Sequence, residues 1–85
     1  MLLYQAREFF EEHQQEIIDI VKSNENVSYK LSRLHPDIYK YRQEDNNEHK
    51  IYINCMNGRQ FVIVMRERND KIEIDTHIIQ SNWKR

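Results

Sequence analysis

Between Lys50 and Ile79 the apolar and polar positions form three short runs separated by two turn signals. Ile51, Ile53 and Cys55 alternate with Tyr52, Asn54 and Met56, and Asn57-Gly58 ends that run. Gln60 to Met65 is nearly all apolar, Asn69-Asp70 breaks the chain again, and Ile72, Ile74, Thr76 and Ile78 alternate to the end. Period-two patterning bounded by turn chemistry predicts an antiparallel β-meander of at least three strands. Ahead of it, Leu3, Ala6, Phe10, Ile17 and Val21, flanked by Leu2, Phe9 and Ile20, fall on one stripe at 3.6-residue spacing. Glu8, Glu11, Glu12, Gln15 and Asp19 take the opposite side, so residues 2–22 are predicted as one amphipathic helix. No proline or glycine interrupts it, and Ser23-Asn24-Glu25-Asn26 supplies the stop. Its length of roughly 30 Å lets it lie diagonally across a small sheet.

Residues 27–43 carry two patterns at once. Val27, Leu31, Leu34, Ile38 and Tyr41 have helical spacing, whereas Val27, Tyr29 and Leu31 also alternate with Ser28, Lys30 and Ser32 as a strand would. Pro36 ends any helix near His35. The expectation is a short helix over 27–34, an extended Ile38–Arg42, and a polar turn over Gln43–Glu48. The predicted fold class is α+β: a long N-terminal helix packed on the meander in one small domain spanning 1–85.

Turn chemistry also predicts register. A three-residue loop Met56-Asn57-Gly58, with Gly58 left-handed, sets Cys55 against Arg59, Ile53 against Phe61 and Ile51 against Ile63. A two-residue turn at Asn69-Asp70 sets Met65 against Ile74, Ile63 against Thr76 and Phe61 against Ile78. One face then collects Ile51, Ile53, Cys55, Phe61, Ile63, Met65, Ile72, Ile74 and Ile78, and the first helix packs there. A two-residue turn at Asn57-Gly58 would scatter these residues over both faces. The second face carries Tyr52, Asn54, Val62, Val64, Arg66, Glu73, Asp75, His77 and Ile79. Either residues 27–43 cover it, or it is an exposed interaction surface. Trp83, in the tail, either folds back on the domain or joins Tyr52 as an aromatic anchor for a partner.

Composition narrows the class. Eighty-five residues bury only about 60% of the unfolded surface, so stability is marginal and a homodimer interface is an expected aid. One cysteine excludes an internal disulfide framework and fits a reducing cytoplasm. No apolar run approaches the roughly 20 residues that span a bilayer, and the acidic first segment does not read as a signal or transit peptide. Ile, Asn, Lys and Tyr supply thirty residues whereas Ala, Gly and Pro occur once each, the usage of a low-GC genome. That style suits a phage or mobile-element accessory protein, or equally a protein of an AT-rich bacterium.

Little in the chain resembles catalytic machinery. The histidines at 13, 35, 49 and 77 have no metal-ligand spacing, Cys55 falls on the predicted buried face, and a single glycine leaves no phosphate-cradling loop. No catalytic residue, metal or cofactor is predicted. Charge is the stronger signal. Residues 1–26 carry two basic and six acidic groups, whereas 27–43 carry Lys30, Arg33, Lys40 and Arg42 against Asp37 alone, with Tyr29, His35, Tyr39 and Tyr41 interleaved.

Three functions follow. The first is a non-enzymatic protein-binding module, an inhibitor or anti-defence factor that blocks a host or toxin protein, docking through Tyr52, Val62, Val64, Arg66, His77, Ile79 and Trp83. Its acidic helix face suits a decoy for a basic, nucleic-acid-binding site. The second is an RNA-binding accessory protein using Tyr29, Lys30, Arg33, His35, Tyr39, Lys40, Tyr41 and Arg42, because cations neutralise phosphates while tyrosines stack unpaired bases. The third is a small ribonuclease. A helix followed by a meander resembles the RelE-type toxins of toxin–antitoxin modules, which implies Arg66, Arg68 and His77 as the basic residues of the reaction. The chain departs from that pattern in starting with a helix and in its pI near 6.4.

Overall fold

The computed structural model describes residues 1–80, in the order α1 (Leu3–Ser23), α2 (Val27–Leu34), β1 (Ile38–Asp45), β2 (Glu48–Asn54), a short 3-10 turn (Met56–Gly58), β3 (Arg59–Arg68) and β4 (Lys71–Gln80). The strands form one antiparallel sheet in the order β1-β2-β3-β4. The α+β architecture is as the patterning predicts, with a fourth strand. No helix among the described residues is long and apolar enough to cross a membrane. Trp83 lies outside the described residues.

Asparagines punctuate the helical half. Asn24 closes α1 in the left-handed region (φ 55°), its N–H donating to the Val21 carbonyl at 3.2 Å, and Asn26 (φ 49°) turns the chain straight into α2. Asparagine tolerates this conformation better than other residues with a Cβ. At the other end of α1 the Leu2 N–H donates to the Gln5 side-chain oxygen, satisfying one of the unpaired amides of the first turn. The helix is interrupted at His13 (φ −111°, ψ 16°), where Nδ1–H donates to the Phe9 carbonyl and the imidazole stacks on the Phe9 ring. A side chain inserted into the backbone ladder is a recognised cause of such a break.

The register follows the turns. Asn57 (φ 63°) and Gly58 (φ 71°) form the bulged loop, Cys55 N–H donates to the Arg59 carbonyl, and Ile53 pairs with Phe61 and Ile51 with Ile63. Asn69 and Asp70, both at positive φ, make the two-residue turn that sets Met65 against Ile74 and Phe61 against Ile78. Ala6, Phe10, Ile17 and Val21 of α1 and Val27 and Leu31 of α2 close over Ile38, Ile51, Ile53, Phe61, Ile63 and Met65. Each large side chain fully buried there contributes about 1.5–3 kcal/mol. Cys55, Ile72 and Ile74 border this core, while Ile78 is 49% exposed. The wall is therefore sealed over β1 to β3 and half open at β4.

Residues 27–43 do not cover the second face. Residues 27–34 join the first helix on the core side, and residues 38–45 extend the sheet by one strand. The polar turn also contracts to Asn46-Asn47, because Gln43 pairs with His49 and Asp45 with Glu48. Backbone groups in a strand beside β2 find ladder partners, whereas a loop over the outer face would leave them to water.

Candidate functional site

Among the described residues no helix or strand lies over the outer face, so its chemistry is set by cross-strand neighbours. Across the middle run Lys40 of β1, Tyr52 of β2, Val62 of β3 and His77 of β4. The next row holds Arg42, Lys50, Val64 and Asp75. The row on the other side holds Asn54, Gln60 and Ile79. Val62 and Val64 are 0% and 3% exposed although no second layer covers them. On an open sheet, flanking long side chains can lay their apolar stems over smaller neighbours, and Tyr52, Lys50 and His77 hold such positions. Both valines thus act as floor beneath the surface. Ile79, at 37% exposed, and His77 reach it.

A bulge shapes the β1 end. Ile38 pairs with Ile53 and Lys40 with Tyr52, which leaves Tyr39 as an extra residue. Tyr39 and Lys40 consequently both reach the Tyr52 ring: Tyr39 meets it edge-on at 6.2 Å between centroids, and Lys40 Nζ lies 5.6 Å from its centroid. Gln60 Nε2 donates to the Tyr39 hydroxyl at 2.7 Å and to Asn54 Oδ1 at 3.2 Å, fixing the aromatic pair from the side. Next to it Arg42 sits directly opposite Lys50. Arg42 reaches Glu44 at 3.3 Å, whereas Lys40 and Lys50 have no ion-pair partner among the described residues. Two cations facing each other across a ladder disfavour that pairing, an effect Glu44 offsets only at Arg42.

The fold divides the 29–42 segment. Tyr29, Lys30 and Arg33 belong to α2 on the helical side; Arg33 donates to the Tyr29 hydroxyl, and Lys30 reaches Ser23. His35 lies between helix and strand, edge-on to Phe9, with Nδ1 accepting from the Asp37 N–H. Tyr41 turns inward, where its hydroxyl shares a hydrogen bond with Nδ1 of the buried His49 at 2.7 Å. Tyr39, Lys40 and Arg42 alone reach the outer face, where the first two meet Tyr52 and Arg42 faces Lys50. Lys50, Asn54 and Gln60 complete the group. The β2 alternation Lys50-Ile51-Tyr52-Ile53-Asn54 placed Lys50 beside Tyr52 in advance, but its importance depends on Arg42 arriving opposite.

Other charged groups on the sheet pair with one another. Arg66 pairs with Glu48 at 3.6 Å and Arg68 with Glu73 at 3.9 Å, so both arginines implied by the toxin resemblance have carboxylate partners. They border a shallow, solvent-open groove of about 470 Å³ at the hairpin-turn end of the sheet. No group of three His, Cys, Asp or Glu side chains among the described residues is arranged to hold a metal ion. Burial pushes the Cys55 thiol above its ordinary value, favouring the unreactive protonated form. Burial, and secondarily the Glu67 carboxylate, push the Tyr41 hydroxyl up as well. No protein-family model, curated protein or solved structure matches this chain.

Proposed function

We infer that the chain is a non-enzymatic binding module whose open sheet face takes a short stretch of single-stranded RNA. The observation that carries this reading is the Arg42–Lys50 cross-strand pair of cations seated beside the Tyr39–Tyr52 aromatic pair. A phosphate between the two cations removes their repulsion, and an unpaired base one nucleotide away meets a tyrosine ring. Base stacking on aromatic rings contributes about 1–3 kcal/mol per base, and phosphate contacts add a salt-sensitive component. Fluorescence anisotropy with a labelled single-stranded oligoribonucleotide tests it. Binding is expected to weaken with salt at a log–log slope of about −2, as three cations imply. The Lys40→Glu/Arg42→Glu variant is expected to lose binding. Charge-reversed protein that binds as wild type does would remove this reading.

A second reading is favoured by α1. Glu8, Glu12 and Glu16 follow one another at four-residue steps on its exposed side, with Glu11 and Asp19 nearby. Like charges at that spacing destabilise a helix by a few tenths of a kcal/mol, so the column has a cost that a basic protein partner would offset. The module would then inhibit a host or toxin protein by occupying its nucleic-acid-binding surface. Under this reading Glu8→Lys/Glu12→Lys protein stays folded, keeps its RNA affinity and no longer captures that partner from host extract. Unchanged capture by that variant eliminates the helix as the contact.

A further inference from the structure

The two edges of the sheet are built differently. β1 is bulged twice, between Ile38 and Lys40 and between Gln43 and Asp45, and α2 lies against it. Bulges and covering elements are the usual devices that stop an edge strand from recruiting another chain. β4 has neither. It pairs with β3 in unbroken register over all ten residues, and no described strand or helix occupies its other side. Its core-side residues Ile72 and Ile74 are only half-buried, and Ile78 is 49% exposed.

Backbone direction can be followed across the sheet. The Asn69-Asp70 turn makes Arg68–Lys71 a hydrogen-bonded pair, so Lys71 and every second residue after it direct their backbone groups toward β3. The carbonyl of Arg59 and the N–H of Glu67 both bond toward β2, the alternation this assignment requires. Ile72, Ile74, Thr76, Ile78 and Gln80 therefore direct N–H and C=O outward at the free edge.

We propose that β4 pairs antiparallel with β4 of a second copy of this chain about a two-fold axis at Thr76, making one eight-stranded sheet. Side-chain chemistry selects the partner and the register. Centring on Thr76 sets Asp75 against His77 of the other copy, twice, and in a non-hydrogen-bonded position where side chains approach most closely. The same register sets Thr76 against Thr76 and Ile74 against Ile78, pairings that stabilise antiparallel ladders. Moving the axis to Asp75 opposes two aspartates, and moving it to Ile74 opposes Glu73 and Asp75. An axis at His77 shortens the ladder by two residues. Thr76 gives the longest ladder within β4 that opposes no like charges. On the core side, the isoleucines that α1 leaves half open would be closed by their counterparts. On the outer side, the two Tyr52 platforms would share one face about 24 Å apart, five strand spacings.

Sedimentation or light scattering across a concentration series tests this. Wild type is expected to shift from the 10.6 kDa chain mass to twice that value. Thr76→Pro removes an amide that makes no ladder bond to β3 and meets only the Asp75 side-chain oxygen at 3.1 Å, so the protein is expected to keep its fold by circular dichroism and stay at the chain mass. Asp75→Lys is expected to stay at the chain mass too, and Asp75→Lys/His77→Asp to recover the doubled mass. Amide exchange gives a further readout: Ile72, Ile74, Thr76 and Ile78 gain protection as concentration rises. A wild type that stays at the chain mass at millimolar concentration overturns the proposal. So does a doubled mass that survives Asp75→Lys, or concentration-independent exchange at those four amides should Thr76→Pro fail to fold.

Discussion

Tyr52 and Tyr41 show how one residue type serves two purposes in this chain. Tyr52 lies on the open face against Lys40 and Tyr39, whereas Tyr41 is turned to the core and bonded to His49. Tyr52→Ala is expected to weaken single-stranded RNA binding by about 1–3 kcal/mol in anisotropy titrations and to leave the unfolding midpoint nearly unchanged. Tyr41 has the opposite profile. Because its hydroxyl pKa is raised in the folded state, its contribution is fully present below its ordinary value of 10.0 and is lost as pH rises through the higher folded value. Cys55 acts with the same sign, starting from its ordinary value of 9.0. Urea unfolding of wild type is therefore expected to show stability falling above about pH 9, and Tyr41→Phe to flatten part of that fall. A Tyr41→Phe protein as alkali-sensitive as wild type would assign the effect elsewhere. His49 has a further cost: Nδ1 is bonded to Tyr41, whereas its buried Nε2 has no hydrogen-bond partner and lies 3.9 Å from Glu67. His49→Leu alone strands the Tyr41 hydroxyl and is expected to cost about 1–3 kcal/mol, while Tyr41→Phe/His49→Leu recovers much of the loss.

At the scale of elements, the turns carry the most information. Asn57-Gly58 with its preceding Met56, and Asn69-Asp70, are local chemistry, and they set the register of three strands before any long-range contact is considered. Gly58→Ala places a Cβ at φ 71° and is expected to cost about 1 kcal/mol or more in denaturant unfolding, with no change in RNA affinity. Ile53→Ala, at the centre of the core, is expected to cost about 2–5 kcal/mol by the same measurement. The helical stripe of α1 and the break before Pro36 were equally local and equally legible. What could not be read was the fate of 38–45. Its bulge at Tyr39 adds a residue to the alternation, so Tyr39 and Tyr41, two apart in sequence, point to opposite faces. Period-two reading puts them together. Whether β1 would cover the outer face or extend the sheet depended on pairing with β2, a tertiary choice with no local signature. The candidate site was therefore visible in halves: Tyr39, Lys40 and Arg42 as a basic aromatic segment, Tyr52 as an outward residue of the meander, and nothing to join them.

The whole molecule is polarised. Carboxylates of α1 crowd the helical side, whereas Lys40, Arg42 and Lys50 gather with two tyrosines on the outer side of the sheet. A net charge of −1 conceals this separation, which is why composition alone argues against a polyanion ligand and the arrangement argues for one. Under the RNA reading proposed above, a strand approaching the acidic side would be repelled and one approaching Lys40, Arg42 and Lys50 attracted, setting orientation before contact. Backbone amide shifts of isotope-labelled protein titrated with a short single-stranded RNA at low salt read out the contact surface residue by residue. The largest changes are expected at Tyr39, Lys40, Arg42, Lys50, Tyr52 and Gln60, fading as salt is added. Changes centred on α1, or a spectrum unmoved by excess RNA, would contradict the RNA reading.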